Sequence, residues 1–234
     1  MKAMILAAGR GERMRPLTDH TPKPLLKVGG QSLIVWHLQR LAQAGFKQIV
    51  INHAHLGSQI ELALGNGAQW GLSIQYSPEQ TALETAGGIA YAMHLLCKED
   101  ADAPFLVVNG DIFTEIDFAQ LSIAENKLAH LVLVNNPPQH PAGDFAIADQ
   151  LLNGIGVLSD SAQPRYTFSG VGLYRPALFA SITAGHSAKL APLLRDAMAR
   201  KQASAQHYTG IWHDIGTPQR LNELDEWLNQ HACK

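Results

Sequence analysis

The chain has 234 residues, 46% hydrophobic and only 16% charged, enough to bury a full core but sparing with charges that usually make up about 25% of a soluble chain. With 18 Lys+Arg against 20 Asp+Glu, the net charge is -2, which excludes the basic footprint of a binder of nucleic acid or anionic membrane. Two cysteines, Cys97 and Cys233, exclude a disulfide framework or a Cys-based zinc site.

Residues 1–8 (MKAMILAA) form a short apolar run ending at Gly9, which predicts a buried strand. That run is too short for a secretory apolar core, and no stretch approaches the 18 or so apolar residues of a membrane span. A cytoplasmic protein is expected. Residues 31–44 (QSLIVWHLQRLAQA) space Leu33, Trp36, Leu38 and Leu41 for a helix that stops at Gly45. Strands are predicted at 46–52, 72–76 and 103–108, with helices at 56–64 and 84–97 between them. A further strand pattern covers 130–134 (HLVLV).

This alternation predicts an α/β, Rossmann-like, mostly parallel sheet flanked by helices. After Asn135 the pattern changes. Pro137, Pro138 and Pro141 mark a loop, and segments at 145–148, 156–158 and 166–174 predict a mixed or antiparallel extension. Helices are predicted at 176–182, 190–199 and 218–230, with 221–228 packing on the sheet. One domain over 1–234 is expected, with 1–134 mainly nucleotide-binding and 135–234 mainly substrate-binding.

Ala8, Gly9, Arg10, Gly11, Glu12 and Arg13 follow the first strand directly. Glycines there let the backbone turn tightly and aim N–H groups at an anion. The dinucleotide fingerprint fails because Met14 stands where its third glycine belongs, and no Walker A string occurs. Arg10, Arg13, Arg15, Lys23 and Lys27 nevertheless gather in one loop stiffened by Pro16, Pro22 and Pro24. A phosphate-binding loop is expected. Asp111, in Asn109-Gly110-Asp111, follows a buried strand and so stands at the carboxyl edge of a parallel sheet, where α/β ligands bind. His53 and His55 read as ordinary loop histidines, and the four tryptophans as packing residues.

The string 6–18 (LAAGRGERMRPLT) with 22–25 (PKPL) resembles the signature of the sugar-1-phosphate nucleotidylyltransferases. So do LETAGG at 83–88, VNGD at 108–111, FSG at 168–170 and WHDIG at 212–216. Within the family, the ETAGG text and the segments 143–145 (GDF) and 189–194 (KLAPLL) are similar to uridylyltransferases acting on N-acetylmuramate 1-phosphate in peptidoglycan recycling. The resemblance implies the nucleotide-diphospho-sugar transferase fold and an enzyme joining UTP to a sugar 1-phosphate with release of pyrophosphate. It implies Arg13 and Lys23 as phosphate-handling cations, with Ala8, Gly9, Gly11, Glu12, Gly87 and Gly88 around the nucleotide. It also implies Asp111 and Asp214 as Mg²⁺ ligands, and Asn109, Asp144, Ser169 and Lys189 near the sugar phosphate. Glu79 is a weaker candidate for reading the base edge.

The chemistry suits these residues. A phosphate monoester with a second pKa of about 6 is already an anionic nucleophile near neutrality, so no side-chain base is required. The obstacle is repulsion between two polyanions, and the remedy is positioned cations and backbone donors. One departure stands out. Many hexose-1-phosphate members hold the sugar phosphate with a Glu-Lys pair, whereas this chain has SAQPR at 161–165. Arg165 or Lys189 substitutes, or the phosphate relies on Lys23 and the metal. Sibling readings are a guanylyltransferase for mannose or heptose 1-phosphate and a non-catalytic regulatory protein. A monomer or small homo-oligomer is expected, with no nucleic-acid or membrane partner.

Overall fold

The apolar opening forms β1 (Lys2–Leu6), whose Ala3, Met4 and Ile5 are fully buried. An all-apolar strand has no solvent face, so both sides need cover. In the computed structural model, which describes residues 1–149 and 154–231, that cover comes from helices on two sides. Ala3 and Ile5 pack with Ile34 and Leu38 of α1 (Leu33–Gln43) and Ile60 of α2 (Gly57–Leu64). Met4 packs the other way, with Ile89 of α3 (Glu84–Tyr91) and Leu96 of α4 (Met93–Leu96). Each fully buried Ile, Leu or Met among these contributes about 1.5–3 kcal/mol. Cys233 lies outside the described residues.

Around β1 the sheet is parallel, in the order β5 (Ser73–Pro78), β4 (Gln48–His53), β1, β6 (Phe105–Asn109). Parallel neighbours need crossover helices, and α1, α2 and α3 lie in the connections between these strands. Next to β6 comes β11 (Arg165–Tyr174), antiparallel, and only then β8 (Ala129–Val134). Beyond lie β12 (Ala203–Tyr208), β10 (Ile155–Ser159) and β9 (Phe145–Ala148), the last returning to pair with the first residues of β11. One nine-stranded sheet therefore takes strands from both halves of the chain. Helix α5 (Leu190–Ala199) buries Leu194 and Ala197 beside α3 and α4.

Several elements differ from the sequence expectation. The helix expected over 84–97 is interrupted at Ala92, where ψ is -2. The segment expected to be helical over 176–182 is a single 3-10 turn, Pro176–Phe179, which suffices to bury Leu178 and Phe179. Strand β12 carries too weak a pattern (ASAQHY) to be seen in sequence and gains its place from pairing on both edges. Two short ladders also escaped: β2 (Lys27–Val28) with β3 (Gln31–Ser32), and β7 (Ile112–Thr114) with β13 (Trp212–Asp214). Finally, α6 (Pro218–His231) packs Leu221, Leu224 and Leu228 onto Val28 and Phe113 rather than onto the main sheet.

Candidate active site

The parallel strands end at a cleft of about 450 Å³. The glycine loop forms one wall. Gly11 adopts φ +69, a left-handed turn that launches the 3-10 turn Glu12–Met14, and Thr18 Oγ1 donates to its carbonyl at 2.9 Å. Ala8, Gly9, Gly11, Glu12 and Arg13 all line the cleft. Among the described residues, the backbone N–H groups of Gly9 through Arg13 make no hydrogen bond, which leaves an anion-ready nest. The cations divide. Arg10 pairs with Glu12 at 3.0 Å and Arg15 with Asp19 at 2.7 Å, whereas Arg13 is exposed in the cleft with no ion-pair partner among the described residues.

Lys23 opens a 3-10 turn, Lys23–Leu25, preceded by Pro22 and locked by Pro24. Its side chain is buried and carries Nζ to 2.6 Å from Asp111 Oδ2 across the cleft floor. Asn109 and Asp111 leave the end of β6, with Gly110 between them. A Cβ at Gly110 would lie 2.7 Å from the Leu6 carbonyl, which already accepts from the Gly110 N–H, so only glycine allows this turn.

Asp214 reaches the same region by backbone pairing. It lies opposite Ile112 in the β7–β13 ladder, and the Ile215 N–H donates to the Asp111 carbonyl at 3.0 Å. Its carboxylate faces an adjoining cavity of about 830 Å³ and is clamped by the Arg220 guanidinium. Each aspartate thus has one oxygen held by an internal cation and one, Oδ1, with no hydrogen bond among the described residues. No group of three or more His, Cys, Asp or Glu suited to a metal occurs among the described residues. The donor set fits a hard divalent ion such as Mg²⁺, which takes one or two carboxylates and completes its shell with phosphate and water.

The opposite wall is a buried polar relay. Asn52, at the end of β4, accepts from the Ala7 N–H at 2.9 Å and donates to Glu79 Oε1 at 2.6 Å. Glu79 Oε2 accepts from the Leu83 N–H at 2.9 Å. Gly87 and Gly88 stand behind this wall and are buried, outside the cleft lining. A Cβ at Gly88 would meet Glu79 Oε1 at 2.7 Å, and one at Gly87 would meet the His186 carbonyl at 2.4 Å. Their smallness lets α3 lie close against Glu79, Asn52 and the 186–188 backbone. Glu84, at φ +61, starts α3 in left-handed conformation and lines the cleft with Thr85.

The remaining sequence-based candidates lie elsewhere. Asp144 is tied to His140 at 3.0 Å and to the Phe168 N–H at 2.8 Å. Ser169 is fully buried, its hydroxyl donating to the Val132 carbonyl at 2.7 Å, and it shapes the β11 irregularity that brings Gly170 against the Asn109 amide. Lys189 is exposed at the start of α5, outside both cavities. Arg165 is engaged by Asp160 and by the Asp144 carbonyl. His53 pairs with Glu61 at 2.7 Å and His55 approaches the Thr18 carbonyl at 3.3 Å, so they form no joint site. Sequence reasoning missed Asn52 and Arg220. Asn52 closes a strand at the carboxyl edge of the sheet, a position that itself was a readable signal; Arg220 sits on a helix face with none.

A family model described as nucleotidyl transferase matches residues 2–231. An N-acetylmuramate alpha-1-phosphate uridylyltransferase of Neisseria meningitidis is 55% identical over 95% of this chain and 96% of its own. A mannose-1-phosphate guanyltransferase of Yarrowia lipolytica is 29% identical over 93% of this chain and 61% of its own. Among solved structures, a protein of Bacillus anthracis assigned as a glucose-1-phosphate thymidylyltransferase aligns at TM-score 0.78 and 22% identity, covering 97% of this chain and 95% of that one, and supports the fold. With the cation-lined nest, the Lys23–Asp111 floor and a match along nearly its whole length, the chain belongs to the nucleotidyl transferase family and is a sugar-1-phosphate nucleotidyltransferase.

Proposed function

We propose that the enzyme transfers a uridylyl group from UTP to N-acetylmuramate 1-phosphate, giving UDP-N-acetylmuramate and pyrophosphate. The observation that carries this reading is the full-length 55% identity to the Neisseria uridylyltransferase, combined with a cleft whose chemistry needs no base. The nest and Arg13 receive the β- and γ-phosphates, and Lys23 meets the α-phosphate. The sugar phosphate oxygen attacks the α-phosphorus in line while the bond to the pyrophosphate oxygen breaks. Cations and backbone donors stabilise the charge spread in that transition state.

Asp111 and Asp214 would hold Mg²⁺, which when bound neutralises triphosphate charge and orients the α-phosphate. Asn52 and Glu79 shape the base pocket, and the cavity beside Asp214 receives the sugar. In this scheme 1–134 mainly binds nucleotide and 135–234 mainly the sugar phosphate, with Asn109, from the first half, beside it. A place in peptidoglycan recycling, a cytoplasmic location and action as a monomer or small homo-oligomer follow from the same reading. Among the described residues no helix is long and apolar enough to cross a membrane.

The test is product identity. Incubation with UTP, N-acetylmuramate 1-phosphate and Mg²⁺ should give equimolar UDP-sugar and pyrophosphate by mass spectrometry, and neither product when any one component is omitted. Nucleotide hydrolysis without the sugar phosphate, or no product with all three, would refute the assignment.

A further inference from the structure

The departure from the hexose-1-phosphate pattern leaves the sugar phosphate without an obvious cation. Arg165 is engaged by Asp160 and the Asp144 carbonyl, and neither it nor Lys189 lines either cavity. Arg220 does. From the first turns of α6 it reaches back to Asp214, with Nη1 on the carboxylate and 3.2 Å from the Asp214 carbonyl. Its Nε lies 3.4 Å from Thr217 Oγ1, whereas Nη2 makes no hydrogen bond among the described residues. Nη2 sits over Gly216, a residue of the cleft wall, where a Cβ would be 2.8 Å from it and 3.2 Å from Arg13 Nη2. Two guanidinium groups therefore flank one glycine at the junction of the nucleotide cleft and the adjoining cavity, and Arg220 itself lines that cavity.

We propose that Arg220 is an exchangeable cation: it neutralises Asp214 while the site is empty and binds the phosphate of the sugar 1-phosphate during turnover. This rests on the nucleotidyltransfer reading above. The physical basis is charge. Asp214 is only 28% exposed and would lack a counter-charge without Arg220, whereas a divalent ion held by the same carboxylate would have the higher charge density and take over that role. The guanidinium so released stands beside Arg13 with a donor already unengaged, and its planar fork matches phosphate geometry. A lysine in the hexose enzymes and an arginine on α6 here would then meet the same chemical need from different elements.

The two roles move two measurements in opposite directions. Arg220→Met keeps much of the side-chain bulk and removes the charge. Mn²⁺ titration of the substrate-free variant, followed by electron paramagnetic resonance, should show binding several-fold tighter than wild type, because the competitor for Asp214 is gone. In steady state the KM for the sugar 1-phosphate should rise roughly 10–100-fold, the scale of one lost hydrogen bond to a charged group, while the KM for UTP stays within about twofold of wild type. Arg220→Lys, which keeps a charge but not the fork, should fall between the two in both measurements.

Unchanged or weaker Mn²⁺ binding by Arg220→Met, or a KM increase that falls on UTP, would overturn the proposal. So would an Arg220→Lys variant indistinguishable from Arg220→Met in both. The metal titration uses no substrate. If wild type proves to use another sugar 1-phosphate, the substrate assignment fails, and the KM split measured on that sugar still decides the role of Arg220.

Discussion

Lys23 and Asp111 illustrate how little machinery the reaction demands. A buried ammonium 2.6 Å from a carboxylate that is itself half open to the cleft is a preorganised charge, needing no reorganisation when a phosphate arrives. Lys23→Ala should lower kcat by roughly 10²–10³, the scale of one removed electrostatic donor, with a smaller effect on sugar binding; a near-normal kcat would make the residue merely structural. Asp111 and Asp214 should behave as a unit, because they would share one ion and its bound triphosphate. Asp111→Asn and Asp214→Asn keep shape and delete charge. The double variant should be little worse than the poorer single, and higher Mg²⁺ should partly restore the singles. Multiplicative losses in kcat/KM with unchanged Mg²⁺ dependence would argue against a shared ion.

At the level of elements, the site depends on close approaches that only glycine permits. Gly88→Ala would place a methyl group 2.7 Å from Glu79 Oε1 and 2.8 Å from Asn52 Nδ2, forcing the relay apart or α3 outward. A cost of about 1–3 kcal/mol in stability is expected, with KM for UTP raised more than KM for the sugar 1-phosphate. Equal stability and unchanged KM values would show that the wall yields freely. In the parallel half, β1 and β6 were legible as apolar runs, and α1 and α2 as helices stopped by Gly45 and Gly65. The β7–β13 ladder was not, since three-residue strands such as WHD have no periodicity to read, and their pairing depends on residues about a hundred positions apart. Asp214 is recognisable as a motif residue, but its clamp by Arg220, six positions on, depends on how the start of α6 turns back over it. Gly87 and Gly88 were visible as glycines; that a side chain at either would collide with the His186 carbonyl or with Glu79 and Asn52 required the packing.

The molecule as a whole also carries a pH liability in its buried histidines. His37 of α1 is fully buried, and its ring lies beside the Ile112 backbone yet neither nitrogen makes a hydrogen bond. Burial lowers its pKa from 6.5 to about 4, with Arg40 adding to the effect. Between those values the unfolded chain binds a proton that the folded chain refuses, so this stability is fully present above pH 6.5 and is lost as the pH falls toward 4. The full difference corresponds to about 3 kcal/mol. His130, lowered by burial between β-strands, acts in the same direction. Denaturant midpoints for wild type should therefore fall between pH 7.5 and 5, and His37→Leu should flatten that fall; identical pH profiles for the two proteins would exclude His37 as a source. Because β11 of the second half is inserted between β6 and β8 of the first, the loss should appear as one cooperative transition. This single sheet brings two substrates together, and their identity defines the enzyme. The most direct measurement is kcat/KM for UTP and GTP, each paired with N-acetylmuramate 1-phosphate and with mannose 1-phosphate, at fixed Mg²⁺. The expected result is dominant turnover of UTP with N-acetylmuramate 1-phosphate, and robust turnover only of GTP with mannose 1-phosphate would show that the enzyme is not an N-acetylmuramate 1-phosphate uridylyltransferase.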